Sequence, residues 1–294
     1  MSRIAGIELG GTKGFALVAH DAEIIDSLRV TTTTPHETLS ALSDWLHTRH
    51  KALAFDALGI ASFGPLGLDR AKADYGYITK TTKPGWSDSD VVGTVRRWFG
   101  GPIGFDTDVA GAALAEQRWG AAQGTAVSSY LTIGTGIGGG LLVDGVPVHG
   151  LVHPEMGHVR VRRRAGDDFA GICPFHKDCL EGLASGPAIK ARTGHAAEDL
   201  PDDHPVWTDV AAEIAELLVS LIMIASPHKI LIGGGVGIGK PFLFAMIRDA
   251  VAARLQNYVV GVDRAALDAL IQPPALGERA GPLGAIALGL SAAA

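Results

Sequence analysis

The chain has 294 residues, 47% of them hydrophobic, and a formal net charge of −6 at pH 7. This composition predicts a folded protein with enough apolar material for one large or two ordinary domains. The negative charge disfavours a nucleic-acid surface, and no apolar run approaches the ~18 residues that span a bilayer. We therefore expect a cytoplasmic protein with neither a nucleic acid nor a membrane as partner.

The first predicted elements are two strands separated by a glycine turn. Residues 4–9 predict a buried strand, residues 15–19 predict a second, and Gly10-Gly11-Thr12-Lys13 lies between them. Such a turn can present consecutive N–H groups to an anion, and the threonine hydroxyl adds a donor. Taken alone, a glycine-rich hairpin turn is more often only a turn, because tight turns need positive φ.

The rest of the first half alternates helices with strands. Residues 35–50 have helical spacing, residues 57–61 predict a short apolar strand, and residues 103–105 predict another strand before a helix over 109–119. Asp108 lies at the start of that last helix, where backbone N–H groups and the helix dipole favour an ionised carboxylate. The alternative interpretation of Asp108 is an N-cap.

The second half repeats the opening of the first. Residues 130–133 predict a strand, Gly134-Thr135-Gly136 a turn, and residues 139–143 a strand that ends at another tight turn. A helix over 206–224, a strand over 230–232 that leads into Gly233-Gly234-Gly235, and a final helix from residue 280 follow. We expect two α/β lobes with a cleft between them, one formed by residues 1–107 and 280–294 and the other by residues 108–279.

Two glycine turns of one kind indicate a polyphosphate ligand. Neither matches the P-loop or the dinucleotide fingerprint. The third cluster, Gly233 to Gly235, suits backbone approach to a nucleotide sugar or base. Phosphoryl transfer also needs a base and a magnesium ion. Asp108 is the candidate base and Asp106 its competitor, while Glu8 is a candidate for the magnesium ion or is a strand acid that faces solvent.

The two cysteines lie in one short segment with metal-ligand spacing. Cys173, His176 and Cys179 are three residues apart, and His158 could complete a tetrahedral Cys₂His₂ set. Four protein ligands leave no open position, so the ion would be structural and would fix the loop that carries Glu155 and Glu181. The alternatives are two reduced cysteines beside ordinary surface histidines and, less favoured, a disulfide.

These motifs together resemble the ROK family of sugar kinases along nearly the whole chain. Within that family the similarity is greatest to bacterial fructokinases. The motifs that carry it are Glu8-Leu9-Gly10-Gly11-Thr12-Lys13, Ser62-Phe63-Gly64-Pro65, Lys83-Pro84-Gly85-Trp86, Thr107-Asp108, Gly134-Thr135-Gly136-Ile137-Gly138, His153-Pro154-Glu155-Met156-Gly157-His158, the cysteine cluster and Glu181-Gly182-Leu183-Ala184-Ser185-Gly186-Pro187.

The resemblance implies a two-lobed, actin-like (ribonuclease H-like) ATPase fold with a zinc-binding loop, and an ATP-dependent, homodimeric kinase. Glu8, Gly10 to Lys13, Thr135, Gly136 and Gly233 to Gly235 would then bind ATP and its Mg²⁺, and Asp108 would be the base. The implied substrate is a hexose, with fructose as the first choice, and the residues implied to contact it are Gly64, Pro65, Trp86, Thr107, Asp108, Glu155, His158 and Glu181. Structural zinc would be held by His158, Cys173, His176 and Cys179.

Three positions depart from the common pattern of the family, namely Glu8 (often aspartate), Thr107 (asparagine in glucokinases) and Ala110 (often asparagine). A threonine offers a hexose fewer hydrogen bonds than an asparagine, so the sugar or its pose differs from that of glucokinases. Glucokinase, mannokinase or allose kinase activity remains an alternative. A sugar-responsive regulator is disfavoured, because the first turn at residue 10 leaves no room for a preceding DNA-binding domain, and the zinc loop disfavours an actin-like chaperone or cytoskeletal ATPase.

Overall fold

The computed structural model describes residues 3–294, which form two compact units. Unit 1 comprises the chain up to Gln123, Val146–His153 and Glu278–Ala294, and unit 2 comprises Gly124–Gly145 and Pro154–Gly277. The strands are β1 (Ile4–Leu9), β2 (Lys13–His20), β3 (Glu23–Thr31), β4 (Ala57–Ser62), β5 (Tyr77–Ile78), β6 (Ser89–Asp90), β7 (Ile103–Thr107), β8 (Val127–Ile133), β9 (Ile137–Val143), β10 (Val146–Pro147), β11 (Lys229–Gly233) and β12 (Ile271–Gln272).

The helices lie between these strands and at the end of the chain. They are α1 (Pro35–Leu53), α2 (Val91–Arg96), α3 (Asp108–Trp119), α4 (Leu180–Ala184), α5 (Gly186–Thr193), α6 (Val206–Ala225), α7 (Gly234–Gly239), α8 (Leu243–Leu255), α9 (Arg264–Leu270) and α10 (Ala280–Ala293). Short 3₁₀ turns cover Met156–His158, Ala197–Asp199 and Gly277–Arg279. Among residues 3–294, no helix is both long and apolar enough to cross a membrane.

Unit 1 is built on a five-stranded sheet with the order β3-β2-β1-β4-β7. The first three strands form an antiparallel meander, whereas β4 and β7 run parallel to β1. The register aligns Leu9 with Ser62 and Ser62 with Thr107, the last residues of the three parallel strands. The loops that follow these strands therefore begin at one edge of the sheet, which is where ligands bind in open α/β sheets.

The last helix, α10, lies directly on the sheet of unit 1 because glycines on two strands allow the close approach. A Cβ atom on Gly59 would lie 1.8 Å from the carbonyl oxygen of Ala285, and one on Gly104 would lie 2.2 Å from that of Leu288. Helix α3 also packs closely against α10. Helix α3 thus belongs to unit 1, which extends to Gln123, so the boundary predicted after residue 107 lies too early in the chain.

Helix α1 covers the sheet of unit 1 from its amphipathic face. It begins at Thr34, whose side-chain oxygen accepts a hydrogen bond from Glu37 N, a standard N-cap. Leu39, Leu42 and Leu46 recur at spacings of three and four and are buried against the sheet. The spacing predicted this helix, but not its last turn, which extends to Leu53.

Unit 2 contains a second sheet in which β9, β8, β11 and β12 are neighbours in that order. β8 and β9 form an antiparallel hairpin closed between Ile133 and Ile137, and β11 and β12 run parallel to β8. Gly233, at the end of β11, pairs with Thr132 near the end of β8. This register starts the second and third glycine clusters from the same edge of the sheet.

Strand β3 is the longest strand that the sequence analysis did not predict, and helix α8 is the longest helix that it did not predict. Strand β3 shows the reason. Its nine residues alternate between exposed and half-buried side chains, and its apolar positions are interrupted by charged ones. Such a strand is held by backbone pairing with β2 more than by burial. Its sequence therefore carried little of the apolar signal on which the prediction depended.

Candidate functional site

Asp108 lies at the edge of unit 1 where the parallel strands end. It is the first residue of α3, and its Oδ1 accepts a hydrogen bond from Val109 N at 2.9 Å. The cap of this helix is Thr107, whose Oγ1 accepts from Ala110 N at 3.1 Å. The alternative interpretation of Asp108 as the N-cap is therefore wrong. The carboxylate of Asp108 therefore does not serve as the cap of this helix.

Burial raises the pKa of Asp108 above its ordinary range, while the hydrogen bond from Val109 N lowers it. A carboxyl whose charged form is poorly solvated is a stronger base than one in water. Such a group is suited to accept a proton from a hydroxyl placed next to it.

Asp106, the competing candidate base, is already engaged. Its Oδ1 accepts from Thr107 N at 2.7 Å, and Nε2 of His149 lies 3.0 Å from its Oδ2 and 3.2 Å from its Oδ1. The hydrogen bond to Asp106 raises the pKa of His149 above its ordinary value. Because Asp106 is 3% exposed and both its oxygens have partners, the geometry favours Asp108 as the base. His149 was not predicted, and no recognisable motif marks it.

Glu8 has a buried carboxylate oxygen without a hydrogen-bond partner among residues 3–294. Burial is the main cause that raises its pKa to about 8; the charge of Asp108 raises it further, and that of Lys13 lowers it. A hard divalent cation prefers carboxylate oxygen and would offset the cost of ionising Glu8. The site therefore fits the magnesium ion predicted from the sequence.

Replacement of Glu8 by glutamine is expected to raise the melting temperature of the ligand-free protein at about pH 8 by about 2–4 °C or more. The folded pKa of about 8 lies above the ordinary 4.5. The carboxyl is thus protonated in both the folded and the unfolded state below pH 4.5, and stability is lost as the pH rises through about 8. Calorimetry at about pH 5 should show little difference.

A matched control for this variant is Glu37→Gln. Glu37 is exposed, and hydrogen bonds from Thr33 and Thr34 lower its pKa. Its stabilising effect is present above the ordinary pKa and is lost as the pH falls, so glutamine there should give no gain at about pH 8. An equal gain for Glu8→Gln at both pH values would contradict the cost of burying its charge.

A backbone hydrogen bond closes the first glycine turn, and a lysine side chain donates a hydrogen bond to it. Gly10 N donates to Lys13 O at 3.0 Å, and Nζ of Lys83 donates to Gly11 O at 2.5 Å. Gly11, Thr12 and Lys13 are exposed, and no atom lies within 4 Å of a Cβ position on Gly11. The turn is open on this side, as phosphate binding requires. The Lys-Pro-Gly-Trp motif contained the signal for Lys83, but sequence reasoning gave it no role.

The turn after β4 carries Gly64 and Pro65, both half-buried. Trp86 is fully buried and packs edge-on against Phe63, the residue before this turn, with 5.2 Å between the ring centroids. Its Nε1 donates to Thr33 O at 2.8 Å. A side chain without accessible surface makes no direct contact with a ligand. The predicted sugar contact of Trp86 is thus corrected to a packing role beneath the turn.

The second glycine turn, in unit 2, is also closed by a backbone hydrogen bond, over a shorter span than the first. Gly134 N donates to Gly136 O at 2.9 Å, and Gly186 N donates to Gly134 O at 2.8 Å. Thr135 is exposed between them. Gly234, in the adjacent third cluster, has φ +83°, and a Cβ atom there would lie 2.4 Å from Ile133 O. Only glycine fits at that position, since a side chain would strain the backbone and clash.

Glu181 is bonded to the second glycine turn. Its Oε2 accepts from Ile137 N at 2.9 Å, and a Cβ atom on Gly136 would lie 2.7 Å from the same oxygen. Glu181 is in the first turn of α4, two residues after Cys179. Helix α4 thus connects the cysteine cluster to the glycine turn. The predicted contacts of Glu181 and of exposed Glu155 with a sugar stay predictions.

The structure brings the four predicted metal ligands together in unit 2. Their ligand atoms all lie within 4.8 Å of one another. Nδ1 of His158 is 3.7 Å from Sγ of Cys173 and 3.5 Å from Sγ of Cys179, and Nδ1 of His176 is 3.8 Å from Sγ of Cys173. A tetrahedral zinc ion with bonds of about 2.0–2.3 Å separates its ligands by about 3.3–3.8 Å. The set therefore fits zinc.

The loop between the cysteines has the shape of a tight knuckle. Cys173 N donates to Lys177 O at 3.2 Å, and Lys177 N donates back to Cys173 O at 2.9 Å. Both cysteines are buried free thiols. Burial raises the pKa of the Cys179 thiol to about 11, so its thiolate is costly unless a cation offsets the charge.

The predicted residues thus form two sets, each within one unit. Unit 1 holds Glu8, the first glycine turn, Gly64, Pro65, Thr107 and Asp108 at one sheet edge. Unit 2 holds the second and third glycine clusters, Glu155, Glu181 and the four metal ligands.

Comparisons with known proteins find relatives that match almost the whole chain. The sequence profile of the ROK family matches residues 4–292. The fructokinase of Zymomonas mobilis subsp. mobilis is 45% identical over 97% of this chain and 96% of its own length, and the fructokinase of Pediococcus pentosaceus is 42% identical over 98% of each. The ROK hexokinase structure from Thermus thermophilus superposes with a TM-score of 0.80 at 26% identity, with 98% of both chains covered.

Proposed function

This chain belongs to the ROK family, and from that premise we propose that it is an ATP-dependent fructokinase. It transfers the γ-phosphate of ATP to the 6-hydroxyl of D-fructose, and the products are fructose 6-phosphate and ADP. The observation that carries the proposal is the identity of 42–45% to two fructokinases across almost the whole chain. The site supports it, because a half-buried carboxylate that can act as a base and glycine turns that can bind phosphate are parts of a phosphoryl-transfer site.

Asp108 is the base of the proposed mechanism. The sugar O–H bond breaks as its proton passes to the carboxylate of Asp108, the hydroxyl oxygen bonds to the γ-phosphorus, and the bond from that phosphorus to the bridging oxygen of ADP breaks. The transition state is loose, so positioning and neutralisation of charge supply most of the acceleration. The half-buried turn at Gly64 and Pro65 and the Thr107 hydroxyl are the proposed sugar contacts in unit 1.

The glycine turns are the proposed phosphate sites. Their backbone N–H groups can donate to phosphate oxygens, and exposed Gly11, Thr12 and Thr135 leave room for a polyphosphate. Glu8 is the residue that would hold Mg²⁺, directly or through water, and bound Mg²⁺ neutralises charge on the transferred phosphoryl group. The open Gly235 position suits adenosine.

Structural zinc is proposed at His158, Cys173, His176 and Cys179. All four positions would be filled by protein, so the ion would hold the loop and would not take part in the reaction. Another soft divalent ion fits the same set. A homodimer, implied by the resemblance to the ROK family, stays a prediction that light scattering of the purified protein can check.

The test is ADP production from Mg-ATP with fructose, glucose, mannose, allose and N-acetylated hexosamines, each against a control without sugar. We expect turnover to depend on fructose, with a kcat/KM that exceeds those of the other sugars by at least about tenfold. Turnover restricted to another hexose would keep the mechanism and overturn the substrate. Sugar binding without ADP production would support a regulator.

A further inference from the structure

Residues Val146–His153, here termed the strap, belong to unit 1 although the chain on both sides of them belongs to unit 2. The strap begins with the two-residue strand β10, and no helix or strand covers its remaining residues. Its tip is apolar and exposed, with Leu151 93% and Val152 63% accessible. Two side-chain contacts that join the strap to the rest of unit 1 come from histidines four residues apart.

The first histidine, His149, binds the end of strand β7. Its Nε2 lies 3.0 Å from Oδ2 of Asp106, and Oδ1 of Asp106 accepts from Thr107 N. Asp106 and Thr107 are the two residues before Asp108. The ring of His149 is thus connected through one buried carboxylate to the backbone that places the proposed base. Loss of the ring would leave that carboxylate with one remaining donor.

The second histidine, His153, binds the turn that follows strand β4. Leu66 N donates to Nε2 of His153 at 3.0 Å, and a Cβ atom on Gly64 would lie 3.4 Å from the ring. A backbone N–H can only donate, so Nε2 must be unprotonated and the ring must act as an acceptor. His153 is 5% exposed, and a buried donor left without its acceptor is costly.

We propose that His149 and His153 are positioning residues for the phosphoryl transfer, His149 through the end of β7 that carries the base and His153 through the turn of Gly64 and Pro65. The proposal rests on the proposed function. The ring at position 149 must donate a hydrogen bond to Asp106, and the ring at position 153 must accept one from Leu66 N. The strap therefore fixes the turn after β4 relative to the end of β7, at the same edge of the sheet.

The experiment compares a phenylalanine and a glutamine variant at each histidine. His149→Phe is expected to lower kcat about 10–100-fold with little change in the KM for sugar, since a displaced base loses rate. His153→Phe is expected to raise the KM for sugar about 5–50-fold with the KM for ATP unchanged, since it leaves Leu66 N unpaired. Glutamine offers a donor or an acceptor and should restore most of each loss.

Leu151→Ala is the control within the strap, because Leu151 is exposed at the tip and should keep wild-type kinetics. Hydrogen exchange gives a readout that does not depend on activity. Amides of residues 63–68 should exchange faster in His153→Phe and those of 104–109 in His149→Phe, with wild-type rates in the glutamine variants.

Wild-type kinetics in both phenylalanine variants would overturn the proposal. Glutamine variants as impaired as the phenylalanine variants would overturn it as well, since hydrogen-bond polarity would then not matter. If the wild-type protein phosphorylated no sugar, the proposed function would fail, and so would the catalytic part of this inference. Exchange rates would still show whether each ring holds its loop.

Discussion

Asp108→Asn is expected to reduce kcat about 10²–10⁴-fold while the protein still folds and binds sugar. Asparagine has nearly the shape of aspartate and can still accept the hydrogen bond from Val109 N, but it cannot take a proton from the sugar hydroxyl. Loss of a base whose role is confined to the transition state lowers kcat and leaves the KM for sugar almost unchanged. Steady-state kinetics with fructose, together with a thermal melt, measures both effects.

The control for this variant is Asp106→Asn. Asp106 has both oxygens engaged by Thr107 N and His149, so its loss should disturb the position of β7 and cost less rate than loss of the base. Near-normal turnover of Asp108→Asn would transfer the role of base to Asp106 or to another group.

The dependence of kcat/KM on pH gives an independent check on Asp108. Burial raises its pKa, and only the ionised carboxylate can accept a proton. Activity should therefore rise with pH through a pKa above the ordinary aspartate value, and this acid limb reports the free enzyme. An acid limb at or below the ordinary aspartate range would argue against a buried base.

Cys173→Ser is expected to lower bound zinc from about one ion per chain to nearly none, and to raise the KM for sugar about 10–100-fold. Serine is a poor zinc ligand, and three remaining ligands hold the ion far less tightly. Because α4 connects Cys179 to Glu181 and so to the second glycine turn, we also expect a higher KM for ATP. Elemental analysis and steady-state kinetics measure these effects.

Phe175→Ala is the matched control for the zinc variant. Phe175 lies in the same loop, is 53% exposed and offers no ligand atom, so its variant should keep both metal and activity. An unchanged metal content in Cys173→Ser would refute the proposed ligand set. Loss of metal without any change in the KM for sugar or for ATP would show that zinc stabilises its loop and does not affect substrate binding.

Local sequence signals predicted most of the elements around the site. The apolar run of β1, the hairpin of β8 and β9 and the spacing of α6 are formed mainly by neighbouring residues, so composition and periodicity are sufficient to find them. Strand β3 was missed because its pairing with β2 depends on the backbone and its side chains are mixed. The cysteine cluster was predicted because its ligands lie within one short loop.

The sequence by itself determined the family of the protein, its glycine turns, its candidate base and its candidate metal ligands, since each depends on residue types at fixed short spacings. Only the tertiary structure decided that Thr107 and not Asp108 caps α3, that Trp86 is buried, and that Asp106 is engaged by His149. The pairs Asp106–His149 and Leu66–His153 join residues 43 and 87 positions apart. Contacts at such separations depend on how strands and loops pack, which no local spacing records.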